Sequence, residues 1–175
     1  DSVKSRGLGD VYKRQDSMNS LIDWLPNNLP TEKRTGIVHG DYSLTNVMIG
    51  KNDPNVIAIL DWELSTLGDP CADFNYHCLQ YTMNPKLADK EYCKNQGIPV
   101  IDDYVKMYSE KIEIDLTEEW DLYSAYNLFK LAGILQGILG RVRDGTAAHE
   151  NAAERASGVR NLSDKAWDLV EKNFL

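Results

Sequence analysis

The sequence has 175 residues, of which 42% are hydrophobic and 26% charged, and its formal net charge is −8. This length and composition suit one globular domain with a buried core. The acidic balance argues against a nucleic-acid or anionic-membrane surface, because both need clustered lysine and arginine. It does not argue against a phosphorylated ligand, since a bound metal ion can reverse the local charge.

The cysteines and the apolar runs indicate a cytoplasmic protein with reduced thiols. Cys71, Cys78 and Cys93 form no CxxC pair, and no histidine lies at a zinc-site spacing from them. No secretory signal is visible. The longest nearly apolar run, residues 128–139, is interrupted by a lysine and a glutamine and is too short to span a bilayer. We therefore expect a buried core helix there and no membrane segment.

The first fifteen residues, DSVKSRGLGDVYKRQ, differ from the rest of the chain. They carry four of the lysines and arginines and show little apolar periodicity, whereas the remainder is acidic. The segment resembles the translated adapter that sometimes begins a gene assembled from fragments; a native flexible terminus is the alternative. We leave residues 1–15 out of the fold prediction and treat residues 16–175 as one domain.

The first half of that domain contains short strands. Apolar periodicity predicts a helix over residues 17–25 that ends before Pro26. A polar loop follows, and then short strands are predicted at 36–38 and 47–49. After the turn GKNDPN, the β-branched run VIAIL at 56–60 predicts a buried strand.

The second half is predicted to be helical. Asp69 suits an N-cap position and Pro70 the first helical position. The predicted helices cover residues 70–82, 101–110, about 117–140 with Thr117 at its N-terminus, and about 146–172, with a loop and a helical piece between the first two. Strands followed by helices indicate an α+β arrangement.

Acidic residues are concentrated in the segment 39–73. It contains six acids and a single lysine: Asp41, Asp53, Asp61, Glu63, Asp69, Asp73 and Lys51. An unpaired buried carboxylate is costly, and like charges nearby raise that cost. Either several of these acids are solvated or a cation lies among them. Magnesium is the natural candidate, because it takes hard oxygen ligands.

Three polar residues of this segment have the spacing of a kinase catalytic loop. His39, Asp41 and Asn46 match H-R-D-x-x-x-x-N, with Gly40 in place of the arginine. Asp61 follows the VIAIL strand, where kinases carry the metal-binding aspartate of D-F-G. Turn chemistry explains each residue singly, but it does not explain all of them at this spacing.

The combination of HGDxxxxN, a strand, DWE and GDPxxDF resembles the aminoglycoside phosphotransferase/choline kinase-like family. The stretch VIAILDWELSTLGDPCAD is similar to the branch related to the kinase-like domains fused to some acyl-CoA dehydrogenases. The match covers residues 36–80. The resemblance implies the mainly helical C-terminal lobe of a protein-kinase-like fold, with β-hairpins carrying the catalytic and metal-binding loops. It also implies that the N-terminal, nucleotide-binding lobe is missing from this chain.

The resemblance further implies a role for each motif residue. Asp41 would accept or orient the proton of the acceptor hydroxyl, while Asn46 and Asp61 would hold Mg²⁺ against the phosphates of ATP. Three residues would have supporting roles: His39 through hydrogen bonds, Asp73 by bracing the catalytic loop, and Glu63 either near a second metal or solvated.

Residues that bind the acceptor are not identified. Arg141, Arg143 and His149 either contact an anionic substrate or form a solvated helix end. Tyr42 and Trp62 are expected to be core side chains rather than ligand-stacking ones.

These roles together predict a cytoplasmic, ATP- and magnesium-dependent phosphotransferase acting on a hydroxyl of a small molecule. The branch favours a hydroxylated acyl metabolite over an aminoglycoside and suggests a fused or neighbouring acyl-CoA dehydrogenase as a partner. Without the other lobe, the isolated chain is expected to be inactive. The alternatives are a non-catalytic kinase-like binding module (a pseudokinase) and a metal-dependent hydrolase. Scattered histidines argue against the hydrolase.

Overall fold

The computed structural model describes residues 17–29, 34–146 and 158–175. In chain order its elements are α1 (17–28), β1 (Gly36–Val38), β2 (Val47–Ile49), β3 (Val56–Ile59), β4 (Thr66–Gly68), α2 (Cys71–Met83), α3 (Pro85–Ala88), α4 (Lys90–Asn95), α5 (Ile101–Ile112), α6 (Trp120–Arg143) and α7 (Val159–Phe174). The predicted α+β arrangement, strands first and helices after, is confirmed. No helix within the described residues is long and apolar enough to span a membrane.

The described residues divide into two compact units. One consists of residues 34–123, and the other of residues 17–29, 124–146 and 158–175. All the motif residues of the sequence analysis lie in the first unit.

The strands form two separate antiparallel pairs. β1 pairs with β4, with Val38 opposite Thr66, and β2 pairs with β3, with Val47 opposite Ile59. No strand is predicted from the sequence between residues 60 and 69, and β4 was therefore missed. Three residues carry too little alternation to be recognised as a strand, and β4 exists only because the distant β1 supplies its hydrogen-bonding partner. The loop after β1 therefore runs from one strand pair to the other, and the loop after β3 returns to the first pair.

The strand at 56–60 is present, but the prediction that it is buried is wrong. Val56 is 54% exposed, Ile57 63% and Leu60 43%. A two-stranded sheet has two faces and no neighbouring strands, so one β-branched run cannot bury itself.

The core of residues 34–123 is helical and aromatic. Its buried members are Cys71, Phe74, Cys78, Val105, Leu116 and Tyr123. Phe74 of α2 stacks on Tyr108 of α5 with 3.7 Å between ring centroids, and Tyr104 meets it edge-on at 5.2 Å. We call this cluster the aromatic core. All three cysteines of the chain are free and buried, as expected for reduced thiols.

The second unit is built from α1, the later turns of α6, and α7. Its most buried side chains include Leu21, Leu128, Ala132, Ala166 and Val170. Residues 128–139 are helical as predicted, but this part of α6 is only partly buried, because Ile134 is 40% exposed. The predicted start of the last helix near 146 lies outside the described residues, while Val159 to Phe174 is helical.

The first helix continues through Pro26 to residue 28, three residues beyond its predicted end. A proline interrupts a helix by removing an N–H donor. Here the side chains that follow satisfy nearby carbonyls: Asn27 Nδ2 donates to Asp23 O at 3.0 Å and Asn28 Nδ2 to Trp24 O at 2.8 Å. These bonds add side-chain donors to the last turn of the helix.

The long helix begins at Trp120 rather than at Thr117. The Thr117 backbone N–H and its hydroxyl both donate to Asp115 Oδ1, at 2.9 and 2.7 Å. Thr117 is thus held in a turn initiated by Asp115 and does not cap the helix.

Candidate active site

The loop between β1 and β2 carries the HGD motif and is held from α2. Asp73, in the first turn of α2, accepts hydrogen bonds from two consecutive backbone N–H groups. His39 N–H donates to Asp73 Oδ2, and Gly40 N–H donates to Oδ1 at 2.9 Å. Both carboxylate oxygens of Asp73 therefore hold the backbone of the two residues that precede Asp41.

His39 is 2% exposed and is hydrogen-bonded through both ring nitrogens. Nε2 lies 2.8 Å from Leu60 O, and Asp41 N–H approaches Nδ1 at 3.2 Å. A carbonyl can only accept and a backbone N–H can only donate, so this network fits the neutral ring with its hydrogen on Nε2. The ring connects the HGD loop to the end of the VIAIL strand and has no lone pair left for proton transfer.

Position 40 requires a glycine for two reasons. Its φ is +85°, and a Cβ there would lie 2.4 Å from the backbone oxygen of Leu64. The backbone of the HGD loop thus touches the turn at Trp62–Leu64. A side chain such as the arginine of H-R-D would not fit at this contact.

Asp41 and Asn46 are joined within the loop. Asn46 Nδ2 donates to Asp41 O at 2.9 Å and to Asp41 Oδ2 at 3.0 Å. Because the amide nitrogen is occupied in this way, the amide oxygen of Asn46 is the atom left to bind another group. Burial raises the pKa of the Tyr76 hydroxyl of α2, and the neighbouring Asp41 carboxylate raises it further, so the two side chains lie close together.

The register of β2 and β3 brings Asp61 to the same end of the hairpin as Asn46. Leu60 N–H donates to Asn46 O at 2.8 Å, so Asp61 is one residue beyond this contact. Asp61 has φ 65° and ψ 60°, in the left-handed region that few non-glycine residues adopt. Its carboxylate makes no capping hydrogen bond to the turn that follows.

Asn46 and Asp61 suit a magnesium ion that also binds substrate phosphates better than they suit a metal site made of protein ligands alone. No group of three or more His, Cys, Asp or Glu side chains among the described residues could hold a metal. Mg²⁺ is usually bound by one or two carboxylates, waters and substrate phosphates rather than by a full protein cage. The Asn46 amide oxygen and the Asp61 carboxylate provide a donor set of that kind.

The surplus of acids does not by itself require a metal. Asp53, Asp61 and Glu63 are exposed, and Asp73 is satisfied by the backbone of the HGD loop. Glu63 lies in the turn at Trp62–Leu64, and its side chain is exposed to solvent.

Asp69 belongs to a network that the sequence analysis missed. Its Oδ1 accepts Cys71 N–H at 2.9 Å, but α2 begins at Cys71 with Pro70 at its N-cap position, one residue later than predicted. Its Oδ2 accepts Arg34 Nε at 2.9 Å and the Tyr123 hydroxyl at 2.6 Å. Arg34 also donates to Glu119 Oε2 at 2.7 Å. Burial alone would raise the pKa of Asp69, but the hydrogen bonds from Arg34 and Tyr123 hold it below its ordinary value.

No pattern in the sequence indicates this network, because Arg34 lies in a polar loop and its partners are 35 and 85 residues away. Tyr76 was missed for a similar reason, since a tyrosine inside an apolar helix is typical of a core position.

Two aromatic residues were expected in the core. Trp62 is 46% exposed, so that prediction is wrong for it. Its ring lies 4.7 Å from that of His39, and its Nε1–H donates to Ile59 O at 2.8 Å. Tyr42 is half-buried between His39 and His77, with centroid distances of 6.2 and 5.6 Å.

The arginines after the apolar helix are solvated where the structure describes them. Arg143 Nε lies 3.1 Å from Asp144 Oδ1, and the side chain is 82% exposed. His149 lies outside the described residues.

The sequence profile of a phosphotransferase enzyme family matches residues 4–126, well over half of the chain. The match includes most of the segment set apart above as a foreign leader. That interpretation stays a prediction, since the structure does not describe those residues.

Several known proteins are similar to this chain. Mouse acyl-CoA dehydrogenase family member 10 is 37% identical over 161 residues, which cover 89% of this chain and 15% of the mouse protein. Human acyl-CoA dehydrogenase family member 11 is 32% identical over 163 residues, covering 90% of this chain and 21% of the human protein. The chain therefore spans about a fifth or less of these relatives.

A solved structure is similar as well. The crystal structure of a Ralstonia eutropha protein, provisionally described as an aminoglycoside phosphotransferase, superimposes with a TM-score of 0.82 at 40% identity. The similarity covers 91% of this chain and half of that one. The resemblance predicted from HGDxxxxN, DWE and GDPxxDF is confirmed: the chain belongs to the phosphotransferase enzyme family and has its kinase-like fold.

Proposed function

We propose that this chain is the catalytic-loop part of a phosphotransferase that moves the γ-phosphoryl group of Mg-ATP to a hydroxyl of a small molecule. The observation that carries the proposal is the arrangement around Asp41. Asp73 fixes the preceding backbone, Asn46 donates to the Asp41 carboxylate, and the β2–β3 register brings Asp61 beside Asn46.

In this proposal the residues act mainly by positioning. Asp41 orients the acceptor hydroxyl and takes its proton as the new bond forms. His39 keeps the loop in place through its two ring nitrogens. Asn46 and Asp61 would hold Mg²⁺, which when bound neutralises charge on the phosphates.

The names of the related proteins suggest a class of acceptor. Because two of them are named as acyl-CoA dehydrogenase family members, we propose a hydroxylated acyl compound as the acceptor and a fused or neighbouring acyl-CoA dehydrogenase as the partner. Aminoglycosides are the competing class, suggested by the name of the Ralstonia eutropha protein.

Asp41→Asn tests the reaction. In the complete polypeptide that carries this sequence, we expect acceptor-dependent ADP formation to fall by about 10²-fold or more, the loss typical of a positioned base. Mg-ATP affinity should stay within about threefold, because Asp41 faces the acceptor rather than the nucleotide. Coupled ADP assays with hydroxyacyl thioesters and with an aminoglycoside would measure the reaction and identify the acceptor class.

Asp53→Asn is the matched control, since Asp53 is an exposed acid in the β2–β3 turn. It should leave turnover unchanged. Wild-type protein that binds Mg-ATP but transfers nothing to either class would favour the pseudokinase alternative. Phosphate release without an acceptor would favour the hydrolase.

Asp61→Asn tests the magnesium assignment. Asn tolerates the left-handed backbone at this position, so the turn should persist while the carboxylate charge is lost. We expect the magnesium concentration at half-maximal nucleotide binding to rise by about tenfold or more. A magnesium titration at fixed nucleotide would show it, and an unchanged midpoint would contradict a role for Asp61 in holding the ion.

The 175-residue chain alone is expected to bind Mg-ATP negligibly and to show no turnover. Kinases hold ATP under a glycine-rich loop with a strand lysine, and before His39 the sequence has only Gly7 and Gly9 at a suggestive spacing, with no apolar strand leading into them. Micromolar affinity measured by calorimetry on this chain would contradict that expectation.

A further inference from the structure

One face of α2 contacts successive residues of the HGD loop. Asp73, Tyr76 and His77 are related by helical spacings of three and four residues, so their side chains lie on the same face. Asp73 accepts the N–H groups of His39 and Gly40. The His77 ring lies 5.6 Å from that of Tyr42.

Tyr76 lies between Asp73 and His77 along α2. In the loop, Asp41 likewise lies between Gly40 and Tyr42, the residues that Asp73 and His77 contact. The tyrosine hydroxyl is the one polar group of its side chain, and this position places it beside the Asp41 carboxylate. Burial, followed by the neighbouring carboxylate, raises the pKa of Tyr76, which favours a protonated hydroxyl that can donate.

His77 itself is held in an uncharged, packed position. Its Nε2 lies 3.2 Å from the Tyr104 hydroxyl, and burial lowers the pKa of the ring. It therefore contributes contact with Tyr42 rather than charge near Asp41. The Asn46 amide donates to the Asp41 carboxylate from within the loop, and the Tyr76 hydroxyl of α2 lies beside the same carboxylate.

We infer that Tyr76 is a positioning residue for the proposed phosphoryl transfer, and that its hydroxyl sets the direction of the Asp41 carboxylate. Asn46 belongs to the same loop as Asp41 and can move with it. Tyr76 belongs to a helix that is packed on the aromatic core, so it ties the carboxylate to a rigid element. This inference rests on the proposed function for its catalytic consequence, but the contact itself can be tested without a substrate.

Tyr76→Phe removes the hydroxyl and keeps the ring. Tyr81→Phe is the matched control, because it makes the same change on the same helix, where the hydroxyl donates to Pro99 O at 2.8 Å, away from the HGD loop. In ¹H–¹⁵N spectra of the 175-residue chain, we expect Tyr76→Phe to shift the Asn46 side-chain amide and the Asp41 backbone amide. Tyr81→Phe should leave both signals in place.

The kinetic experiment uses the complete polypeptide and whichever acceptor supports ADP formation. We expect Tyr76→Phe to lower kcat by about tenfold, because a misdirected carboxylate orients the acceptor hydroxyl poorly. The KM for Mg-ATP should change less than about twofold. Because a smaller folded fraction would also lower the apparent kcat without changing KM, the variant and the wild type are compared at equal concentrations of Mg-ATP-binding sites.

The two experiments separate the possible failures. Unchanged Asn46 and Asp41 signals in Tyr76→Phe would overturn the inference whatever the activity. Shifted signals with an unchanged kcat would overturn the positioning role. If the wild-type protein transfers phosphate to no acceptor, the proposed function fails, and the spectra still decide whether Tyr76 holds Asp41.

Discussion

The strands and the helices of residues 34–123 are stabilised in different ways. Along the strands, Ile37 is 69% exposed, Leu67 73% and Ile57 63%. On α2, by contrast, Phe74 is 4% exposed and Cys78 3%. The strand pairs therefore bury little of their own apolar surface, whereas the helices form a packed core.

The candidate catalytic residues lie in the loops between the strands, where little apolar surface is buried. Their loop is held instead by directional hydrogen bonds: the backbone N–H groups of His39 and Gly40 donate to Asp73, and His39 Nε2 bonds to Leu60 O. Such bonds fix geometry over a few atoms and depend on the helix that supplies them. The difference indicates that the helical core determines stability, while a small number of polar contacts determine the shape of the site.

The largest expected effect comes from the aromatic core. Phe74→Ala removes a ring that contacts Tyr104, Tyr108 and Trp120. We expect a loss of about 3–5 kcal/mol in the free energy of unfolding, typical of a truncated buried phenylalanine. Urea unfolding followed by tryptophan fluorescence would measure it.

Ile57→Ala is the control on the strand side, and we expect it to cost less than about 0.5 kcal/mol because the side chain is exposed. Equal losses for the two variants would contradict the contrast between strands and helices.

A smaller effect is expected from the ion-pair network that joins the start of β1 to the helices. Arg34→Met leaves Asp69 and Glu119 without their shared cation, and their side chains are only 19% and 12% exposed. We expect a loss of about 2 kcal/mol, below the full cost of breaking a deeply buried pair.

Thermal unfolding of Arg34→Met can be compared with that of Lys90→Met. Lys90 pairs with Asp102 in solvent, with side chains 65% and 70% exposed, so its loss should produce no measurable change. If the two variants unfold at the same temperature as the wild type, the network around Arg34 does not stabilise the fold.

The smallest effect concerns pH. The pKa of Asp69 is lower in the folded protein than its ordinary value, so its ionised form is stabilised by folding. That contribution is present above the ordinary pKa of about 3.9 and is lost as pH falls through the lowered folded pKa.

Asp69→Asn keeps an oxygen that can cap Cys71 and removes the charge. Between pH 7 and pH 3 the wild type should therefore lose more stability than the variant, by less than the whole loss expected for Arg34→Met. Urea unfolding at the two pH values would measure the difference. Identical pH dependence would show that the charge of Asp69 does not stabilise the fold.

The sequence alone determined the family and the order of most of the elements, although not β4. HGDxxxxN, DWE and GDPxxDF can each be recognised within a short window of sequence, although the HGD loop takes its shape from hydrogen bonds to Asp73 of α2. The hydrogen bond from Cys71 to Asp69 and the helices at 71–83 and 101–112 are local, because helical hydrogen bonds join residues four apart.

Only the tertiary structure decided which strands pair, which apolar residues are buried and which side chains hold Asp41. β1 pairs with a strand about thirty residues later instead of with β2, and Arg34 finds Glu119 across 85 residues. Tyr76 meets Asp41 because the helix that follows β4 places it beside the loop that follows β1. Such contacts depend on the packing of distant segments, and no periodicity or motif within a short window of sequence encodes them.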